Sequence, residues 1–184
     1  MADVFDRFLQ ENDLRSFALE CTDDAQLERR FQEARLPRRV ETDLEAFLDG
    51  VRWPLAVRSS SLLEDSQYHP FAGVYATYMS EPYPARSTIQ LEDSQVLPFT
   101  GVYDTFLLPN DAPARAARLR QLLTAIKRVY ASTFSTHAKA YLHATPYRLE
   151  EEKMAVVIQR VAGRAHERRF YPDFSGVGRS RNFY

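Results

Sequence analysis

The chain has 184 residues, of which 45% are hydrophobic, and its formal net charge is −1. A chain of this length can bury one sizeable core, and its near-neutral charge provides no long-range attraction for nucleic acid or anionic lipid. The one cysteine, Cys21, excludes an internal disulfide and a multi-thiolate zinc site, and we expect it to be a reduced thiol near a helix end. No apolar run is long enough for a membrane span, and the N-terminus lacks the pattern of a secretory signal, so we expect a cytoplasmic protein.

Residues 1–52 predict helices. An apolar stripe with helical spacing opens the chain, formed by Val4, Phe5, Phe8 and Leu9. Thr22 or Asp23 can cap a further helix, and Pro37 interrupts the helical pattern before it resumes. Gly50 is expected to end the last helix of this part.

Residues 53–184 predict a sheet with a long helix in the middle. A short apolar run at 55–57 indicates a buried strand that ends at Arg58, and further strands are indicated at 71–79 and 153–161. Asn110 is expected to cap the long helix, with a proline in its first turn. Its basic residues are expected to form a solvated face: Arg115, Arg118, Arg120, Lys127 and Arg128. This order of elements favours an α+β fold in which helices flank a mixed β-sheet.

One segment occurs twice, at an offset of 28 residues. Residues 58–79 and 86–107 are identical at 13 of 22 positions. Two copies are too few for a stacked solenoid, so the pattern indicates a local tandem duplication. An apolar run precedes the first copy, whereas Pro82 and Pro84 precede the second, and proline removes donors from a strand ladder. We therefore expect Arg58 to occupy the native site, and the strands of the two copies to compete for one position in the sheet.

The repeated segment carries groups suited to phosphate. Arg58 and the three serines after it supply a planar charged fork and hydroxyl donors. Gly73 permits close approach of a ligand to the backbone, and Thr77, four residues further along a strand, lies on the same side. The equivalent positions in the second copy are Arg86, Gly101 and Thr105. On composition alone, a surface turn held by a structural salt bridge fits equally well.

The first copy also resembles a known family. Residues 57–77 contain Val-Arg-Ser-Ser-Ser-Leu-Leu-Glu-Asp and then Phe-Ala-Gly-Val-Tyr-Ala-Thr, which is similar to the ATP-binding domain shared by phosphoenolpyruvate synthase and pyruvate phosphate dikinase. Residues 154–161 look like the hinge strand of that family, and residues 175–182 look like its later Ser-Gly-Val…Arg-Asn element. The resemblance covers most of residues 53–184, and the helical first part is compatible with it.

The resemblance implies an ATP-grasp fold, in which ATP lies between two subdomains. It implies that Arg58 contacts phosphate, that Gly73 and Thr77 line the nucleotide cleft, and that Gln159 lies at the hinge near the adenine. In the alternative copy the corresponding residues are Arg86, Gly101 and Thr105. The implied cofactors are ATP and Mg²⁺, and the implied partner is a nucleotide.

Several parts of the family's machinery have no counterpart in the sequence. They are the Gly-Gly-Lys loop before the first helices, the acidic magnesium ligands, the phosphohistidine domain and the pyruvate-binding barrel. In complete relatives, ATP phosphorylates a histidine on a separate domain, which passes the phosphoryl group to pyruvate. We therefore expect residues 1–184 to be one partial, incomplete ATP-grasp-like domain. It would be the ATP-binding portion of a phosphotransferase (a kinase or dikinase), unable to turn over pyruvate alone and working with the remainder of a split or larger enzyme.

Two alternative functions stay open. The first is a non-enzymatic remnant or a small protein-interaction module of the same fold. The second is nucleic-acid binding through C-terminal arginines, which Glu167, Asp173 and the net charge disfavour. Residues 135–138 are similar to the family's phosphohistidine motif, but they continue a helical pattern, so we expect His137 on a helix surface. No histidine has a second ligand at a suitable spacing, and we expect no metal site.

Overall fold

The computed structural model describes residues 2–61, 77–79, 105–143, 148–149, 152–166, 169–171 and 174. Within these ranges the helices are α1 (Ala2–Glu11), α2 (Arg15–Glu20), α3 (Asp24–Glu33), α4 (Arg38–Gly50), α5 (Arg115–Ser132) and α6 (Thr136–His143). The strands are β1 (Leu55–Ser61), β2 (Thr77–Met79), β3 (Thr105–Leu108), β4 (Met154–Arg160), β5 (Arg164–His166) and β6 (Arg169–Tyr171). The order confirms the predicted helices of the N-terminal part and the α+β class. None of the helices in these ranges combines the length and the apolarity that a membrane span needs.

The main sheet is mixed, as predicted. Its strand order is β2–β3–β1–β4. β1 pairs antiparallel with both β3 and β4, and β2 pairs parallel with β3. β5 and β6 form a separate antiparallel ribbon. The strand at the centre of the main sheet is therefore β1, the strand that carries Arg58.

The helices cover one face of this sheet. Leu55 and Val57 of β1 are buried there, as are their partners on β3, Leu108 and Phe106. Helix α5 contacts β1, β3 and β4, and α1 contacts β4. Behind the sheet, rings from α1, α3, α5 and the α5–α6 turn form an aromatic cluster with centroid separations of 5.0 to 6.1 Å: Phe5, Phe8, Phe31, Tyr130 and Phe134. This layer supports β1 from behind and leaves its other side for the site.

Local signals at the helix ends agree with the structure in two cases. The carboxylate of Asp23 accepts hydrogen bonds from the backbone N–H groups of Ala25 and Gln26, so it caps α3. Gly50 is the last residue of α4. Cys21 is a free cysteine at the C-terminal end of α2, as expected.

The predicted cap of the long helix is wrong. Helix α5 begins at Arg115, after Ala114, and no side chain caps it. Asn110 instead adopts a left-handed conformation, with φ 56°, which asparagine tolerates better than most residues. Its amide nitrogen donates to the carbonyl oxygens of Val51 and Trp53, both at 3.1 Å. The side chain is unavailable to α5 because it ties the turn after β3 to the segment that follows α4.

The prediction of one solvated basic face on α5 is also wrong at Arg118. This residue is 2% exposed, and its Nη1 donates to the carbonyl oxygens of Leu48 at 3.1 Å and Val51 at 2.9 Å. These carbonyls lie at the end of α4, where a helix has acceptors without intrahelical partners. Arg115, by contrast, is half-exposed and pairs with Asp49. Arg118 therefore holds the C-terminal end of α4 against α5.

Candidate functional site

Arg58 projects from the face of the sheet that is turned away from α5. Side chains alternate between the two faces of a strand, and Leu55, Val57 and Ser59 are buried while Arg58 is exposed. We call the side that bears Arg58 the exposed face. Its other residues on β1 are Ala56 and Ser60.

Arg58 lies in the middle of a strand, and the prediction that the strand ends there is wrong. β1 continues to Ser61, because β4 provides pairing partners for each serine: Ser59 with Val156, Ser60 with Ala155 and Ser61 with Met154. Alternation consequently splits the serines between the two faces. The buried Ser59 hydroxyl has no hydrogen-bond partner among the described residues. A ligand on the exposed face would therefore meet the side chain of Arg58 rather than an arginine-serine loop.

Two of the predicted site residues meet on this face. Gln159 is exposed on β4, where it pairs with Ala56. Ala56 lies two residues before Arg58, on the same face of β1. The Nη1 of Arg58 donates to the Oε1 of Gln159 at 3.4 Å, although the two residues are 101 positions apart. The amide is neutral, and a guanidinium has five N–H donors. Among the described residues, this contact therefore uses one donor of Arg58 and does not neutralise its positive charge.

Arg58 forms no ion pair with another residue in the described part of the chain. The ion pairs found there involve Asp6, Glu11, Glu28, Glu45 and Asp49, all on the helices. An exposed guanidinium is suited to bind an anion, and its fork matches two phosphate oxygens.

Small and apolar residues on β4 and β1 surround Arg58, and the sequence analysis did not identify them. Val157 pairs directly with Arg58 and is 37% exposed, while Ala155 and Ala56 occupy neighbouring rows on the same face. Residues 154–158 form an unbroken apolar run, so the sequence carries no signal for which of their side chains would be exposed. Apolar residues beside a few polar groups are typical of small-molecule sites.

The threonines of both copies lie in the row of Arg58. Thr105 pairs with Arg58 across β1 and β3, and Thr77 pairs with Thr105 across β3 and β2. In the structure the two strands occupy adjacent positions, β3 beside β1 and β2 beside β3. Most of the two Gly-Val-Tyr-x-Thr segments lies outside the described residues, so their competition for one position stays a prediction. The place next to Arg58 belongs to Thr105, which is buried, with 9% exposed. Gly73, Arg86 and Gly101 lie outside the described residues, so their roles stay predictions.

The described residues do not fit a magnesium site. Among them, no group of three or more histidine, cysteine, aspartate or glutamate side chains could hold a metal ion. Magnesium prefers oxygen ligands with carboxylates among them, whereas the exposed face presents a guanidinium, an amide and apolar groups. No step of the chemistry is therefore assigned to a metal held by these residues.

The described histidines lie on α6 and β5 and not on the strands of the main sheet. His137 is exposed on α6, as predicted. His166 lies in β5. One arginine of the alternative nucleic-acid surface is also engaged within the fold, since the Arg160 guanidinium lies over the Trp53 ring at 5.2 Å. None of these residues adds to the site around Arg58.

The comparison with protein families finds a match that spans nearly the whole chain. The family model for the pyruvate phosphate dikinase AMP/ATP-binding domain matches residues 1–183. The match includes the helical N-terminal part as well as the strands that carry Arg58 and Gln159. No curated protein matches the chain.

Proposed function

Because the chain belongs to the pyruvate phosphate dikinase AMP/ATP-binding domain family, we propose that it binds ATP on the exposed face of its sheet, with Arg58 as the phosphate contact. The observation that carries this proposal is the hydrogen bond between Arg58 and Gln159. It joins the arginine motif and the hinge strand, the two motifs that the resemblance assigns to one nucleotide cleft, across the β1–β4 ladder.

The chemistry of the two side chains supports the phosphate assignment. A guanidinium binds phosphate oxygens through paired, charge-assisted hydrogen bonds, each about twice as strong as a neutral one. Gln159 can keep its Oε1 on Arg58 while its amide N–H groups bind the adenine or the ribose. Val157, exposed beside Arg58, offers an apolar contact for the base. These groups fit a nucleotide whose phosphates lie over β1 and whose base lies over β4.

The finer assignments follow from the family. In this proposal the fold is an ATP-grasp domain, and Gly73 and Thr77, or Gly101 and Thr105 of the second copy, line the cleft. The domain supplies the nucleotide-binding step of a phosphotransferase, while the phosphoryl acceptor comes from the remainder of a split or larger enzyme. The described face supports this division of labour because it offers anion-binding groups and no carboxylates for a catalytic metal.

A nucleotide series tests the proposal. In calorimetric titrations with Mg²⁺ present, we expect ATP to bind at least about tenfold more tightly than adenosine, with AMP between them, because each added phosphate gains charge-assisted contacts with Arg58. Raising the salt concentration should weaken the binding of ATP more than the binding of adenosine, because salt screens the exposed charge of Arg58. Equal affinities for ATP and adenosine would contradict the proposal, as would the absence of ATP binding at millimolar concentrations.

The variant Gln159→Ala separates the base from the phosphates in the same titrations. It should reduce the affinity for ATP by about three- to tenfold, the value of one or two hydrogen bonds to a neutral group. Binding of inorganic tripolyphosphate, which has no base, should change less than twofold. If tripolyphosphate lost as much affinity as ATP, Gln159 would act only by holding Arg58.

A further inference from the structure

We propose that one 28-residue unit of the repeat is surplus to both the fold and the site. β1 carries the start of the first copy, at Arg58, and β3 carries the end of the second copy, at Thr105. These two ends are direct antiparallel neighbours. The end of the first copy, β2, pairs only with β3 in the described sheet. The pairing of β1 with β3 thus joins the start of the first copy to the end of the second copy. One complete 28-residue unit of the repeat lies between these two ends in the chain.

The direction of the strands supports this inference. β2 and β3 run parallel and pair in register, Thr77 with Thr105, Tyr78 with Phe106 and Met79 with Leu107. Each of these pairs joins positions 28 residues apart, the offset of the repeat. β2 therefore runs in the direction, and places its residues in the register, that a strand needs in order to pair with β1 in place of β3. In a chain with one copy, a single strand would fill this position.

The residues after the repeat explain why β3 rather than β2 holds it. β3 continues into Leu108, which is buried and pairs with Leu55, and then reaches the Asn110 turn that binds the end of α4. The equivalent residues after the first copy are Ser80 and Pro82. Proline fixes φ near −65° and cannot adopt the left-handed conformation of Asn110. The sequence after the first copy therefore does not supply the residue types that make these two contacts.

The residues before the repeat select the arginine in the same way. Arg58 follows Leu55 and Val57, which are buried against the helices. Arg86 follows Tyr83, Pro84 and Ala85, and a proline at that position would remove a ladder donor from a central strand. The flanks, which are not repeated, thus assign the central positions to the arginine of the first copy and to the threonine of the second.

Excision of residues 70–97 tests the inference. It removes one unit and places Thr105 at the distance from Arg58 that Thr77 has in the full chain. We expect cooperative thermal unfolding with a midpoint within about 5 °C of the full chain, because the central ladder and the Asn110 turn are kept. The pairing of β2 with β3 is lost, but the entropic cost of closing the loop between these two strands is removed as well.

Excision of residues 84–111 is the matched control. It removes the same number of residues and leaves Thr77 to pair with β1, but it places Ser80 and Pro82 where Leu108 and Asn110 belong. Its midpoint should lie at least about 8 °C below that of the first excision variant. Loss of cooperative unfolding in the first variant, or a midpoint well below that of the full chain, would overturn the inference. Equal midpoints for the two variants would overturn the role assigned to the residues that flank the repeat.

The part of the inference that concerns the site rests on the proposed function. The first excision variant should bind ATP within about threefold of the full chain, and a full chain that binds while this variant folds but does not bind would refute that part. If neither binds ATP, the proposed function fails, while the comparison of midpoints still decides whether the unit is surplus to the fold.

Discussion

Replacing Arg118 with alanine is expected to lower the free energy of unfolding by about 3–5 kcal/mol. The side chain is fully buried and donates to two backbone carbonyls at the end of α4, those of Leu48 and Val51. Burial lowers the pKa of Arg118, and the hydrogen bonds to these carbonyls offset part of the cost of burying the charge. Alanine would leave a cavity and remove the donor from both carbonyls, and each buried acceptor without a partner costs about 1–3 kcal/mol.

Two variants separate packing from hydrogen bonding at this position. Arg118→Met keeps much of the buried volume but has no hydrogen-bond donor. Its loss in the free energy of unfolding should therefore be smaller than that of Arg118→Ala but greater than zero. Arg115→Ala removes a half-exposed arginine on the same helix that pairs with Asp49, and it should cost less than about 1 kcal/mol. Urea unfolding followed by the fluorescence of Trp53, the one tryptophan, measures all three. Equal losses for Arg118→Ala and Arg115→Ala would show that Arg118 does not hold α4.

The second large effect is expected in the aromatic cluster. Phe8→Ala should cost about 3–5 kcal/mol, since a fully buried ring is lost from a packed interior. The Phe8 ring lies 5.8 Å from Phe31 on α3 and 5.3 Å from Tyr130 on α5, so it joins three helices. Phe47 on α4 is 37% exposed, and Phe47→Ala should cost less than about 1 kcal/mol. The same unfolding assay compares them, and similar losses would contradict the position of Phe8 in the core.

The sequence predicted elements well where local chemistry decides them. The helical spacing of Phe5, Phe8 and Leu9 correctly indicated a buried face, and all three are fully buried. The carboxylate of Asp23 caps α3 because it needs only the backbone of the next turn. The strand β4 was predicted correctly because its apolar run is long and no turn residue interrupts it. In each case the residues that fix the structure are neighbours in the chain.

Predictions failed where a distant segment determines the structure. The serines after Arg58 read as a loop, but pairing with β4, about a hundred residues away, extends β1 through them. The sequence predicted that Asn110 caps a helix, but its amide nitrogen donates to carbonyl oxygens near the end of α4. Arg118 read as a solvated residue for the same reason, since no local pattern reveals that α4 ends against α5.

The candidate site was predictable in part. The motifs identified Arg58 and Gln159 through the family resemblance, and the ladder between β1 and β4 brings them together. The sequence could not say which copy of the repeat lies next to Arg58, because the copies are alike and the choice depends on the contacts of Leu108 and Asn110. Val157 was missed because its exposure depends on which face the helices cover.

Titration of ATP, with Mg²⁺ present, into the parent chain, Arg58→Ala and Arg86→Ala measures the claim on which the functional conclusion depends. Arg58→Ala should weaken binding by at least about tenfold, the loss of one or more charge-assisted contacts with phosphate. Its thermal midpoint should move by less than about 2 °C, because the guanidinium is exposed. Arg86→Ala should bind like the parent. An equal loss in both variants, or no loss in either, would contradict the placement of the nucleotide phosphates at Arg58.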